Sequence, residues 1–304
     1  MIEERQANRN ILFTVQRTHI CNDAYMHIAT LPGQEVYVTG EQSQALRSAT
    51  MRLLVIPFAL WSAWMLELFL LAGSVHIFLR FDLLGVFVYT LVACILTGLV
   101  APLVCIRAAF VSGAVNMFQI GFRSFRRTLL SVFLTCCGIY GAVIVFNPFG
   151  TDRLAFAYAF VLLLPTAIAS VMMCWVLIGT HVQAFVRSGG AIMSVSLGIA
   201  VTGMLYSITT FAYFSPVLDQ GVFLFSVSIG IIAAIFFFAV RDVYATSLVV
   251  CAGSVFCVAD HINPLYLQST VQFVWVSSGL AVCSLIGIHW YLSRNFVTVK
   301  IPVN

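Results

Sequence analysis

The sequence predicts an all-α integral membrane protein, a bundle of seven to eight transmembrane helices. Of its 304 residues, 61% are hydrophobic and only 9% are charged, and the mean hydropathy is +1.02. Soluble domains carry a charged fraction of about 25%. The apolar residues also fall into about eight long runs, each near the roughly 20 residues that a membrane-spanning helix needs. These runs are continuous rather than alternating, which favours helices over the strands of a barrel.

The apolar runs define the predicted spans in chain order. They lie at residues 53–79, 83–106, 128–147, 154–179, 190–213, 218–240, 243–260 and 268–292. The run at 243–260 is among the shortest, and whether it forms a full span stays open. Pro57, Pro102 and Pro165 fall inside or at the ends of spans, where proline tends to kink a helix.

The spans divide the chain into three parts. Residues 1–52 are polar, lack an apolar run long enough for a signal peptide and hold a strand-like patch, "EVYVTG"; we expect a cytosolic N-terminal segment. Residues 53–292 form the predicted transmembrane domain, and residues 293–304 the predicted cytosolic tail.

Basic residues at the span ends predict the orientation. With a cytosolic N-terminus, and either an even number of spans or one re-entrant stretch, only Arg80 and Arg153 flank the spans on the opposite side. The cytosolic side receives Arg47, Arg52, Arg107, Arg123, Arg126, Arg127, Arg187, Arg241, Arg294 and Lys300. Positively charged loops stay in the cytosol. This topology explains the net charge of +4 without a nucleic-acid partner.

The connection at residues 107–127 has the pattern of an amphipathic helix. Its polar residues, among them Asn116, Gln119 and Arg123, recur at helical spacing between aromatic and aliphatic residues. Such a helix lies along the cytosolic headgroups, or its polar stripe lines a water-filled vestibule.

Acidic residues in or beside the spans are the candidate functional groups. Glu67 lies well inside the first apolar run, where a carboxylate is costly and is a functional hypothesis by default; the alternative is a protonated, hydrogen-bonded staple. Asp242 and Asp260 lie at span ends and offer oxygen ligands to a passing cation. Asp242 beside Arg241 is also consistent with a solvated ion pair. The spacing of the histidines gives no metal or haem site, and we expect no cofactor.

Two stretches resemble the Bax inhibitor motif membrane proteins. They are "FAYFSPVLDQGVFLFSVSIGIIAAIFFFAVRDVYA" at residues 211–245 and the arginine-rich "FRSFRRTLLSVFLTCCGIYGAVIVF". The resemblance implies that Asp242 is the first aspartate of a pH-sensitive pair and Asp260 a candidate for the second. Arg123, Arg126 or Arg127 is then the basic partner, with Arg241 beside it. Arginine in place of lysine and the many cysteines resemble the cytomegalovirus seven-span branch of that family.

The resemblance implies a pH-sensitive leak of calcium or protons that modulates ion homeostasis, cell death or immune signalling of the cell or of a virus-infected host. The implied location is an endomembrane of the ER or Golgi, or the plasma membrane. A second hypothesis is a non-conducting adaptor that binds and redirects other membrane proteins. No HExxH, GxGD or GxSxG motif is present, which argues against an enzyme.

Overall fold

The computed structural model describes residues 40–73, 83–111, 117–146, 153–186, 190–214, 220–258 and 271–295. Apart from short non-helical segments at 121–124, 190 and 241–242, these residues form helices, with no strand among them. The strand-like patch at 35–40 lies almost entirely outside these ranges. Seven helices are long and apolar enough to cross a membrane, and an eighth is shorter. The prediction of an all-α multi-span membrane protein is therefore confirmed.

The helices follow the predicted runs closely. They are α1 (Gly40–Leu68, then π-helical over Phe69–Gly73), α2 (Leu83–Tyr89, π-helical over Thr90–Val100, then Ala101–Val111), α3 (Met117–Ile120), α4 (Phe125–Phe146), α5 (Arg153–Ser170, π-helical over Val171–Gly179, then Thr180–Val186), α6 (Ala191–Phe214), α7 (Gln220–Val240), α8 (Val243–Val258) and α9 (Val271–Asn295). With 16 residues, α8 is about 24 Å long, short of the roughly 30 Å hydrocarbon core.

Helix α5 is the centre of the bundle. Its apolar span, Leu154–Val186, is 94% buried, and all nine residues of its π-helical part are buried. Helices α1, α2, α6, α8 and α9 pack around it. A helix that is apolar on every side is buried on every side, and this one has no face left for lipid.

Helix α4 lies at the edge of the bundle. Only 6% of its span is buried, and it packs mainly against α8. Elsewhere the helices approach closely at glycines: a Cβ on Gly230 of α7 would lie 2.8 Å from the carbonyl oxygen of Gly203 on α6. Small residues permit such close contact between membrane helices.

The predicted single amphipathic helix at 107–127 is wrong. Helix α2 continues to Val111, the short α3 ends at Ile120, and Gly121 follows with φ 88°. This left-handed conformation suits glycine and ends the helix. Arg126 and Arg127 instead belong to the first turn of α4.

Candidate functional site

The corner between α7 and α8 brings together the polar groups of the candidate site. Helix α7 ends because Arg241 adopts a left-handed conformation, φ 54°, and its N–H donates to the carbonyl of Phe237 at 2.7 Å. The N–H of Val243 donates to the carbonyl of Gly121 at 3.1 Å. This hydrogen bond ties the start of α8 to the turn before α4.

The side chain of Arg241 joins three segments. Its Nη1 donates to the carbonyl of Gln119 at 2.9 Å, and Nη2 donates to Oε1 of Gln183 on α5 at 2.6 Å. The guanidinium also lies 4.8 Å from the ring centroid of Phe238, a cation–π contact. Burial, together with the charge of Arg123, lowers the pKa of Arg241 to about 10, so that the guanidinium stays protonated at neutral pH.

Asp242 is completely buried at the N-terminus of α8. Its Oδ1 accepts a hydrogen bond from the N–H of Ala245 at 2.9 Å, the geometry of an N-cap. Its Oδ2 is buried and accepts no hydrogen bond of normal geometry from the described residues. Burial raises the pKa of Asp242; the Ala245 N–H, Thr128 and Arg123 oppose this rise without cancelling it.

The interpretation of Arg241 and Asp242 as a solvated ion pair is not supported by this geometry. Asp242 is out of contact with solvent, and the Arg241 guanidinium is directed to Gln119 and Gln183. The cation that acts on the carboxylate is Arg123, which is half-buried. Arg126 and Arg127 are exposed.

Helix α9 contributes a histidine to the same end of the bundle. The hydroxyl of Tyr244 lies 3.1 Å from Nδ1 of His289, and the imidazole also hydrogen-bonds to the main chain of Arg123. The ring of Phe122 lies 5.1 Å from that of His289 and 6.4 Å from that of Tyr244. The start of α8, the end of α9 and the turn before α4 therefore meet around Asp242.

Glu67 lies in a different part of the bundle. It is half-buried on α1, roughly 20 Å along the helix from Leu54. It is near enough to Cys94 of α2 for an electrostatic interaction, and the Cys94 thiol lies 3.8 Å from the hydroxyl of Thr166 on α5. Among the described residues, nothing hydrogen-bonds to the Glu67 carboxylate, and no contact joins it to Asp242.

Asp260 lies outside the described residues. Within the described ranges no three His, Cys, Asp or Glu side chains come close enough to hold a metal ion together.

Sequence reasoning missed the groups that complete the site. Gln119 was considered only as part of a polar stripe, and His289 only among the histidines whose spacing gives no metal site. Gln183 and Tyr244 were not considered at all. Their partners are 45 to 122 residues away in the chain. One available signal is that Gln183 and His289 are polar residues near the ends of otherwise apolar runs.

The fold and this corner together define a multi-span helical membrane protein with a buried, titratable group at one end of its bundle. Comparison of the chain with protein-family models, with curated proteins and with solved structures gives no match.

Proposed function

We propose that the protein is a pH-responsive ion-leak protein whose gate is the corner around Asp242. The observation that carries this proposal is the complete burial of the Asp242 carboxyl group among Arg123, Thr128 and the first turn of α8. A buried group with a perturbed pKa marks a candidate functional site. The resemblance to the Bax inhibitor motif proteins adds calcium as the cargo and Asp242 as the pH-sensing acid.

The direction of the pH response follows from the raised pKa of Asp242. The packed corner binds the proton more tightly than an open, solvated corner does. Protonation therefore favours the packed state, and the preference is lost as the pH rises through the raised pKa. On this basis the leak is low in acid and increases with pH, because the buried charge can be relieved by admitting water.

Polar groups along α5 support a path for ions between the corner around Asp242 and Glu67. Gln183 faces Arg241 at one end. About 25 Å away along the helix, Thr166 lies beside Cys94, the residue of α2 that interacts electrostatically with Glu67. Between them, the hydroxyl of Ser170 and the indole N–H of Trp175 are buried and have no hydrogen-bond partner within the described part of the chain. Buried groups of this kind are commonly satisfied by ordered water.

The test is cation flux into proteoliposomes containing the purified protein, measured with calcium and with protons from pH 5 to 9. We expect wild-type flux to increase with pH. Asp242→Asn, which keeps a neutral side chain of the same shape, holds the corner packed and gives low flux at every pH. Ser228→Ala, on the exposed face of α7, is a matched control with wild-type behaviour. Equal, pH-independent flux in wild type and Asp242→Asn would contradict the proposal.

A second candidate function is the non-conducting adaptor, which a lateral groove favours. The groove, about 560 Å³, lies between α4, α7 and α8 and is lined almost wholly by apolar atoms. Gly138 on α4 and Gly253 on α8 lie in its wall, and a Cβ on Gly138 would meet no atom within 4 Å. The occupant we propose is the transmembrane helix of another membrane protein, because glycines in the wall permit close helix contact.

Substitutions at two glycines of α4 distinguish the adaptor function from the ion leak. Gly138→Leu fills the groove, whereas Gly141→Leu adds the same side chain at a neighbouring open position that does not line it. We expect Gly138→Leu alone to abolish the redistribution of other surface proteins in cells, measured by surface proteomics. An equal effect of both substitutions, or of neither, would argue against the groove as a helix-binding site.

A cytosolic N-terminus is part of the proposal. Asp242 then lies at the cytosolic end, since the chain returns to that side after each pair of spans. The gate responds to cytosolic pH, in an endomembrane or in the plasma membrane. Adding a membrane-impermeant thiol reagent to sealed vesicles that contain Arg126→Cys, at an exposed position, tests this orientation.

A further inference from the structure

The lateral groove between α4, α7 and α8 begins at the same end of the bundle as the Asp242 corner. On α7 its lining reaches Val240, the last residue of that helix and the neighbour of Arg241. Helices α7 and α8 meet along the groove, because a Cβ on Gly253 would lie 2.7 Å from the side chain of Ile229. The third wall is α4, whose span is only 6% buried. The groove is therefore bordered by a helix that exposes most of its surface to lipid.

The groove has the length of one leaflet of the bilayer. Its lining runs from Ser131 to Ala142 on α4 and from Ile229 to Val240 on α7, about 16 Å along each helix. Half of the hydrocarbon core is about 15 Å thick. The volume of the groove, about 560 Å³, also lies in the range of binding sites for small molecules. An acyl chain of the adjacent leaflet therefore matches the groove in length, whereas a membrane-spanning helix extends beyond it.

A basic residue lies at the mouth of the groove. Arg127 precedes the lining residue Ser131 by four positions, so that it lies on the same face of α4, one turn nearer the corner. Its side chain is exposed. Arg126 is exposed as well, but it is rotated by about 140° from Ser131 around the helix axis. Of these two arginines, only Arg127 is aligned with the groove.

Together these features match the two parts of an anionic phospholipid. The wall of the groove consists almost wholly of apolar atoms, which suits an acyl chain. The planar guanidinium of an arginine donates paired hydrogen bonds to a phosphate group. In the orientation proposed above, the mouth of the groove lies at the cytosolic leaflet, which holds the anionic lipids.

We propose that the groove is a binding site for one anionic phospholipid, whose acyl chain lies between α4, α7 and α8 and whose phosphate group contacts Arg127. The inference goes beyond the ion leak and does not depend on it. It concerns the same groove as the adaptor function, and a partner helix would have to displace this lipid. In the free protein the groove is then a specific lipid site, distinct from surface that any lipid of the bilayer covers.

The test is photo-crosslinking in nanodiscs that contain the purified full chain. Phosphatidylserine and phosphatidylcholine with the same diazirine-bearing acyl chain are compared, and the labelled peptides are assigned by mass spectrometry. In wild type we expect phosphatidylserine to label residues 131–142 and 229–240 about fivefold more strongly, the effect of one arginine near the headgroups. In Arg127→Gln we expect this preference to disappear. Both leaflets of a nanodisc have the same composition, so the result does not depend on the orientation of the chain.

Matched variants test each part of the lipid separately. Arg126→Gln removes the same charge from a different face of α4 and should keep the preference for phosphatidylserine. Arg127→Lys keeps the charge but loses the planar fork, so it should retain part of the preference. Gly138→Leu fills the groove and should lower labelling of the groove by both lipids, whereas Gly141→Leu, which does not line it, should label as wild type does.

The outcomes separate this inference from the proposed functions. Equal labelling of wild type by the two lipids overturns it, because the groove then accepts any lipid of the bilayer. An equal loss of preference in Arg126→Gln and Arg127→Gln also overturns it and identifies a general effect of surface charge. An unlabelled groove that is cross-linked to a co-purifying protein overturns it in favour of the adaptor. Cation flux enters none of these measurements, so a chain that conducts no ions loses the leak and keeps the lipid site.

Discussion

The guanidinium of Arg241 donates a hydrogen bond of 2.6 Å to the side chain of Gln183, 58 residues away in the chain. The same guanidinium donates to the carbonyl of Gln119 on α3, so that α3, α5 and the end of α7 share one cation. Arg241 does this from a left-handed backbone conformation, φ 54°, which is unfavourable for a residue with a Cβ. The side-chain contacts offset this strain.

The effects of the side-chain hydrogen bonds of Arg241 and of its backbone strain on stability can be measured separately. Arg241→Ala loses both hydrogen bonds and keeps the backbone strain, whereas Arg241→Gly loses the bonds and relieves the strain. We expect both variants to unfold at lower temperature than wild type, and the glycine variant to be the more stable of the two by about 1 kcal/mol. The check is thermal unfolding in one detergent at pH 7. If the alanine variant equals or exceeds the glycine variant, the backbone strain is not relevant to stability.

The buried carboxyl of Asp242 predicts how stability depends on pH. Its raised pKa means that the folded chain holds the proton more tightly than the unfolded chain, so its contribution is complete below the ordinary aspartate pKa and falls as the pH rises through the raised value. Wild type should therefore lose thermal stability relative to Asp242→Asn as the pH increases. A difference between the two proteins that stays constant from pH 4 to 8 would show that Asp242 does not titrate in this range.

Glu67 and Asp242 are expected to have separable effects on flux, because no described contact joins them. Glu67→Gln removes the carboxyl group that interacts with Cys94 and should lower cation flux without moving its pH midpoint. The control is Ser62→Ala on the exposed face of the same helix. A shift of the midpoint in Glu67→Gln would mean that the two acids are coupled after all.

The close packing of α6 against α7 predicts that alanine substitutions at two glycines have different effects on stability. In Gly230→Ala, the new methyl group would lie 2.8 Å from the carbonyl oxygen of Gly203, which belongs to the backbone of α6 and cannot easily move. We expect a loss of about 1–3 kcal/mol in the free energy of unfolding, typical of overpacking.

Gly138→Ala provides the comparison, since nothing lies within 4 Å of its new Cβ. Replacing an open helical glycine with alanine should be neutral or stabilising by up to about 1 kcal/mol. Steric trapping in bicelles measures both changes. Equal effects of the two substitutions would show that α6 and α7 are farther apart than the structure places them.

Much of the fold follows from the sequence alone. The lengths and apolar character of the runs placed α4, α6, α7 and α9 within about three residues of their observed ends. This succeeds because a helix is the only way to satisfy each backbone group locally within a bilayer, so length and hydrophobicity are enough. The same patterns failed at residues 107–127, where the left-handed Gly121 divides what periodicity presents as one helix.

The site was only partly visible in the sequence. A charge within or beside an apolar run stands out, and so Glu67, Asp242 and Arg241 could be selected without a structure. Their surroundings could not, because hydropathy says which residues are in the membrane but carries no information about which helices are neighbours. Only the packing around α5 brought Gln183 to Arg241 and His289 to Tyr244, since such contacts depend on how each helix is rotated and where it ends. The sequence by itself determined a helical membrane protein that has acidic residues within or beside its spans. The tertiary structure decided which of these residues is buried, and which side chains of other helices surround it.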